Sequence, residues 1–102
     1  MLADDPDNLG ARQRQGEVLR ILGYQSAQKG SLEEAAAQWR ESLQFRQNDA
    51  VLHSNLGAVL ARLGHIREAV PEFEAALRLD PKLETARRNL EAARAQLEKG
   101  EH

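Results

Sequence analysis

Cysteine, β-branched residues and long apolar runs are scarce or absent in this sequence. The absence of cysteine among 102 residues excludes disulfide bonds and thiolate metal sites. Val, Ile and Thr are few, which disfavours strands. No apolar run approaches the roughly 20 residues that a membrane span needs, and the acidic N-terminus has no apolar signal segment. We therefore expect no membrane span, and a cytoplasmic location is the default expectation.

Charges of both signs are mixed along the chain, and the formal net charge is −2. This balance gives no general attraction to nucleic acid or to an anionic membrane, so we expect no nucleic-acid partner. The length suits a single domain, residues 1–102. Ala and Leu supply most of the apolar content, which favours helices.

The sequence repeats itself at an offset of 34 residues. At this offset Leu22 and Gly23 fall on Leu56 and Gly57, Gly30 on Gly64, Glu34 and Ala35 on Glu68 and Ala69, Trp39 on Phe73, and Leu43 on Leu77. Glycines, small residues and aromatics rarely align together by chance. The pattern predicts two copies of one unit, residues 16–49 and 50–83, preceded by an N-terminal segment, 1–15, and followed by residues 84–102.

Both copies resemble the tetratricopeptide repeat, whose pattern is W-x2-L-G-x2-Y, then A-x3-F, then P. The second copy has His53-x2-Leu56-Gly57-x2-Leu60, Ala69-x3-Phe73 and Pro81. The first has Leu19-x2-Leu22-Gly23-x2-Ser26 and Ala35-x3-Trp39, with Gln47 in place of the proline. The resemblance implies an all-α fold, a right-handed superhelical solenoid of antiparallel helix pairs. It would contain two tetratricopeptide units and a C-terminal capping helix, about five helices in total.

The resemblance also gives the glycines two separate roles. Gly23 and Gly57 would lie inside the first helix of each pair, where the second helix crosses closely. Gly30 and Gly64 would end that helix, because glycine readily adopts the left-handed conformation. The matching small residues on the second helices are Ala35, Ser42, Ala69 and Ala76.

Local patterns predict where the five helices lie. The expected ranges are Leu9 to Lys29, a helix from Ser31 to about Arg46, Ala50 to Leu63, Ile66 to Leu79, and Leu83 to about Leu97. A disordered leader up to about Gly16 is the alternative for the start of the chain. Pro71 predicts a slight bend or a loosened first turn in the fourth helix.

Helix caps are predicted at three positions. Ser31 with Glu34 fits a capping box, and Asn48 or Asp49 can cap the third helix. Asp80 can cap the last helix, with Pro81 in its first position.

The sequence contains no recognisable catalytic or cofactor motif. Its three histidines, His53, His65 and His102, are scattered, and none has a partner at metal-ligand spacing such as H-E-x-x-H. There is no phosphate-binding glycine loop and no nucleophile elbow. We therefore predict that the protein is not an enzyme and has neither a metal nor another cofactor.

The resemblance implies a concave face lined by the first helix of each unit, where such proteins bind short peptides or partner helices. The residues implied to face inward are Glu17, Arg20, Tyr24 and Gln28, then Val51, Ser54, Asn55, Ala58 and Arg62, then Thr85, Arg88 and Asn89. The predicted peptide-binding set among them is Arg20, Tyr24, Asn55, Ala58, Arg62 and Arg88.

Arginines grip carboxylates and asparagine pairs with extended backbone, so this set favours an acidic or carboxylate-ended peptide. The alternative is a solvated polar face with no ligand.

Some members of the family clamp a partner's C-terminal carboxylate, and the match to that clamp is partial. Arg20 and Asn55 fall on clamp positions, but Tyr24 replaces an asparagine. Thr85 and Asn89 replace the two basic residues of the final helix. We therefore expect a different and weaker peptide ligand, with micromolar affinity.

A second predicted function is structural. Two repeats make a short array, whereas about three are usual for stability. The chain could then be a fragment of a longer scaffold, or its N-terminal end could stack on another copy to form a homo-oligomer.

Overall fold

The computed structural model describes residues 9–100, which form five α-helices and no strand. The helices are α1 (Leu9–Gln28), α2 (Leu32–Phe45), α3 (Ala50–Arg62), α4 (Ile66–Leu79) and α5 (Glu84–Gly100). α1 packs on α2 and α3 packs on α4, while α2 also contacts α3 and α5 covers α4. The helices form an elongated row that measures 61 × 29 × 20 Å. This confirms the predicted all-α repeat fold.

The helices of the first pair run antiparallel, as their side-chain contacts show. Ser42 Oγ donates to Gly16 O at 2.6 Å, Trp39 Nε1 donates to Arg20 O at 3.0 Å, and Ser26 Oγ donates to Gln38 Oε1 at 2.7 Å. Residue numbers rise along α1 as they fall along α2. Because α1 and α2 are joined by only three residues, this arrangement follows from the short connection as well.

Gly23 and Gly57 lie where the second helix of each pair comes too close to leave room for a side chain. A Cβ added at Gly23 would lie 2.2 Å from Trp39 Nε1, and one added at Gly57 would lie 2.7 Å from Phe73 Cε1. Both aromatic rings are buried, so neither can move away easily. The second helix therefore approaches each glycine closely, as predicted, and its aromatic side chain occupies the space that the glycine leaves.

Gly30 and Gly64 end α1 and α3 in the left-handed conformation, with φ of 85° and 89°. The predicted capping box at Ser31 is wrong, because the Ser31 side chain makes no capping hydrogen bond. Ser31 is the residue that closes α1, since its N–H donates to Ser26 O, and its ψ of 73° is not the extended value usual for an N-cap.

Asp49 caps α3 as predicted, since its carboxylate accepts the Leu52 N–H at 3.0 Å. The prediction that Asp80 caps the last helix with Pro81 in its first position is wrong. Asp80 closes α4 by donating its N–H to Ala76 O, and its carbonyl accepts the Leu83 N–H in a tight turn. α5 therefore starts at Glu84.

The described helices agree closely with the predicted ranges, and the largest difference is at the C-terminal end of α5. α1 is helical from Leu9, so the alternative of a disordered leader is wrong for residues 9–16, and residues 1–8 lie outside the described range. α5 continues to Gly100, three residues past the predicted end. α4 passes through Pro71 as one uninterrupted helix.

The hydrophobic core centres on α3 and thins towards α1. Leu52, Leu56, Val59 and Leu60 of α3 are each less than 5% exposed, and they pack with Trp39, Phe73 and neighbouring side chains. α5 adds Ala86, Leu90 and Ala93 and keeps its outer face polar, as a capping helix should. α1 buries only Gly16, Leu19, Gly23 and Ser26.

We predict that Gly57→Ala lowers the free energy of unfolding by about 1–3 kcal/mol, because the new methyl group overlaps the Phe73 ring. The direction of this change in stability is informative, since Gly→Ala inside a helix otherwise stabilises by up to about 1 kcal/mol. Gly100→Ala is the control, because a Cβ there meets no atom within 4 Å. Urea unfolding measures both variants, and an undiminished stability of Gly57→Ala would contradict the close crossing.

Candidate functional site

Tyr24 and Asn55 join α1 to α3 across the predicted concave face. Asn55 Nδ2 donates to the Tyr24 hydroxyl at 2.7 Å. The Tyr24 ring meets the Trp39 ring edge-on, with centroids 5.3 Å apart and planes at 80°. The Arg20 guanidinium carbon lies 5.7 Å from the Tyr24 ring centroid, within the range of a cation–π contact. The structure thus brings Arg20, Tyr24 and Asn55 together.

Arg20 is already paired with a carboxylate of its own helix. Its Nε donates to Glu17 Oε1 at 3.0 Å, and its Nη2 donates to Glu17 Oε2. Arg46 reaches the same carboxylate from beyond α2, with Nη1 3.1 Å from Glu17 Oε1, and also binds Asp49. A ligand carboxylate would therefore have to compete with Glu17 for Arg20.

The Arg20 hydrogen bonds lower the pKa of Glu17 from its ordinary value, and the two arginine charges act in the same direction. Glu17 in return raises the pKa of Arg20. Because the pKa of Glu17 is lowered by folding, the contact stabilises the fold at neutral pH. That contribution is lost as the pH falls through the lowered pKa. Both side chains are partly solvated, so the contribution is small.

A crevice of about 290 Å³ lies between α3 and α5. Its apolar walls and floor come from Ala58, Ala61, Ile66, Phe73, Ala92 and Ala93. Its polar groups are Arg62 of α3 and the amides Asn89 and Gln96 of α5. Arg62 is exposed, and no carboxylate lines the crevice with it. The crevice can hold an apolar side chain of a ligand. A neighbouring group of that ligand, such as a carboxylate, can accept hydrogen bonds from the Arg62 guanidinium.

The predicted residues therefore fall in two neighbouring parts of the molecule. Arg20, Tyr24 and Asn55 form the α1–α3 cluster, whereas Ala58 and Arg62 line the α3–α5 crevice. Arg88 is exposed on α5 and does not line the crevice. Its neighbour Asn89 does.

Sequence reasoning missed most of the apolar wall of the crevice. Ala92, Ala93 and Gln96 follow Asn89 at spacings of three, four and seven residues, so helical periodicity places them on one face and could have identified them. The pairing of Glu17 with Arg20 also has a recognisable i, i+3 spacing. The approach of Arg46 to Glu17 has no such signal, because it depends on how α1 and α2 pack.

Other functional features are few in the described part of the chain. No group of three or more His, Asp or Glu residues within 9–100 is arranged to hold a metal ion. None of the described helices has the length and apolar character to cross a membrane. His53 is half-buried and is held between Glu72 Oε1, 2.9 Å from its Nδ1, and Gln47 O, 3.2 Å from its Nε2.

Two solved structures with similar folds are peptide complexes. One is the first tetratricopeptide domain of Spaghetti (RPAP3) bound to the HSP90 peptide SRMEEVD. It has a TM-score of 0.80 and 23% identity over 85% of this chain and 69% of that chain. The second such domain of Spaghetti, with the same peptide, has a TM-score of 0.82 and 21% identity over 88% of this chain and 85% of that chain.

MamA is also similar to this chain. A point mutant of MamA has a TM-score of 0.76 and 26% identity, over 98% of this chain and 68% of that chain. A search of curated protein sequences returned no significant match.

Two family models match the chain directly. One, described as TPR repeat, matches residues 23–64, and the other, described as tetratricopeptide repeat, matches residues 50–83. Together they span residues 23–83 and include both close glycine–aromatic crossings. The chain therefore belongs to the tetratricopeptide repeat family.

Proposed function

We propose that this protein is a non-catalytic protein–protein interaction module that binds a short acidic peptide across α1, α3 and α5. The single observation that carries the proposal is the crevice between α3 and α5, where apolar walls adjoin the exposed Arg62. An apolar side chain of the ligand would enter the crevice, and a neighbouring carboxylate would pair with Arg62. Asn89 and Gln96 offer amide donors and acceptors to the ligand backbone.

The structural neighbours support a peptide ligand of this chemistry. The peptide SRMEEVD in the Spaghetti complexes contains three acidic side chains together with Met and Val. This chain lacks two basic residues of the carboxylate clamp, since Thr85 and Asn89 take their positions. We therefore propose that side-chain carboxylates are recognised here more than a free C-terminus, with micromolar affinity, about −8 kcal/mol.

The first test uses fluorescein-labelled SRMEEVD as a defined acidic probe, followed by fluorescence anisotropy. Arg62→Gln is expected to weaken binding about tenfold, because it removes the charge beside the crevice. Arg78→Gln is the matched control, since Arg78 is exposed near the end of α4 and does not line the crevice. No saturable binding of the probe, or equal losses in the two variants, would contradict the proposal.

A second prediction concerns the competition between Glu17 and the ligand. Glu17→Gln removes the negative charge that now occupies Arg20, so we expect it to tighten binding of the same probe severalfold. Glu84→Gln is the matched control, because Glu84 pairs with Arg87 at the same i, i+3 spacing on exposed side chains of α5. Unchanged or weaker binding by Glu17→Gln would show that Arg20 does not meet the ligand.

Self-association, the second function predicted from the sequence, is compatible with peptide binding. The core thins at α1, and apolar side chains remain exposed there. The surface concerned is not the one that faces α3 and α5, so both functions can operate in one molecule.

A further inference from the structure

The face of α1 that carries Val18 and Leu22 is largely exposed. Val18 is 50% exposed and Leu22 is 38% exposed, and Ile21 beside them is 42% exposed. We call this face the outer seam; its six residues recur at alternating spacings of four and three and are Ala11, Gln15, Val18, Leu22, Gln25 and Lys29. Such spacing is the seam of a helix that pairs with another helix along its length.

The internal repeat shows what this face does elsewhere in the chain. At an offset of 34 residues, Val18 and Leu22 correspond to Leu52 and Leu56 of α3, which are each 1% exposed. A second step of 34 reaches Ala86 and Leu90 of α5, which are 0% and 7% exposed. α2 packs against α3, and α4 packs against α5. Among the described helices, the same face is therefore covered by a neighbouring helix on α3 and α5 and is exposed on α1.

The outer seam is complementary to itself when two copies of α1 run antiparallel. In a register centred on residue 20, Val18 meets Leu22 of the second copy, and Gln15 meets Gln25 of the second copy. The apolar pair then lies at the centre, and the two glutamines can exchange amide hydrogen bonds on either side.

Charge favours the antiparallel over the parallel arrangement. In the same register Lys29, which is the one charged residue of the seam, meets Ala11 of the second copy. A parallel pair would place Lys29 against Lys29 of the second copy, which is unfavourable.

We propose that this protein forms a weak antiparallel homodimer through the outer seam of α1. The 20-residue helix is about 30 Å long, and one helix pair of that length buries less than the about 1,200 Å² typical of stable complexes. The dimer is therefore expected to dissociate in the micromolar range or above. The surface is separate from the α3–α5 crevice, so the proposal does not depend on peptide binding.

Sedimentation equilibrium of the whole chain, from about 1 µM to about 1 mM, tests the dimer. We expect a reversible monomer–dimer equilibrium, and we expect Val18→Glu to raise its dissociation constant about tenfold or more by burying a charge against Leu22. Leu22→Glu is a second disrupting variant, because Leu22 lies in the seam opposite Val18 of the second copy. Leu79→Glu is the control, because Leu79 is 41% exposed on α4, away from the seam. Circular dichroism of each variant verifies folding.

Two outcomes would overturn the proposal. One is a monomeric wild type at every concentration. The other is a folded Val18→Glu or Leu22→Glu protein that associates as well as Leu79→Glu does.

The register has its own test, because the chain contains no cysteine. Gln15→Cys and Gln25→Cys are prepared separately, mixed and mildly oxidised. Disulfides need Cβ atoms about 3.5–4.5 Å apart, so the antiparallel register predicts mixed dimers well above the statistical share of about half. A predominance of dimers formed within each variant would exclude this register.

Discussion

The rest of the structure depends on the close crossing of helices at a glycine and an aromatic residue. Trp39 fills the space above Gly23, and Phe73 does the same at Gly57. In the first pair the crossing also satisfies a buried polar group, since the Trp39 indole N–H donates to the Arg20 carbonyl of α1. Each crossing holds the two helices of a pair together, and the next helix along the chain then packs against that pair. A repeat architecture follows, because the same short-range geometry is used twice in succession.

The position of the candidate site is a consequence of that crossing. Once α3 and α4 are joined at Gly57 and Phe73, one edge of the Phe73 ring becomes part of the floor between α3 and α5. Ala58 and Ala61 are small, so α5 and α3 leave a crevice in place of a filled core. Larger side chains at these positions would narrow the crevice. The fold and the candidate site therefore share Phe73, whereas the small side chains of Ala58 and Ala61 keep the crevice open.

The repeat period, the helix ranges and the glycine roles could be predicted from the sequence, because they depend on local spacing and on residue size. The roles of Ser31 and Asp80 could not, because one residue there serves two neighbouring elements. Ser31 closes α1 before α2 begins, and Asp80 closes α4 four residues before α5 starts at Glu84. The sequence indicated which residues could belong to the candidate site, but it did not indicate which side chains those residues contact. The ion pair between Glu17 and Arg46 depends on helix packing, which residue spacing alone does not give.

Repetition also makes the ends of the row chemically unequal. α5 carries charges such as Arg87 and Glu91 on its exposed surface, so further stacking beyond it would bury charge. α1 instead exposes Val18 and Leu22, so stacking on that face would bury apolar surface. Docking of a further helix is therefore favoured on α1 and disfavoured on α5. In the proposed dimer, association would stop at two copies, because the exposed apolar face of α1 in each copy is used when the two α1 helices meet.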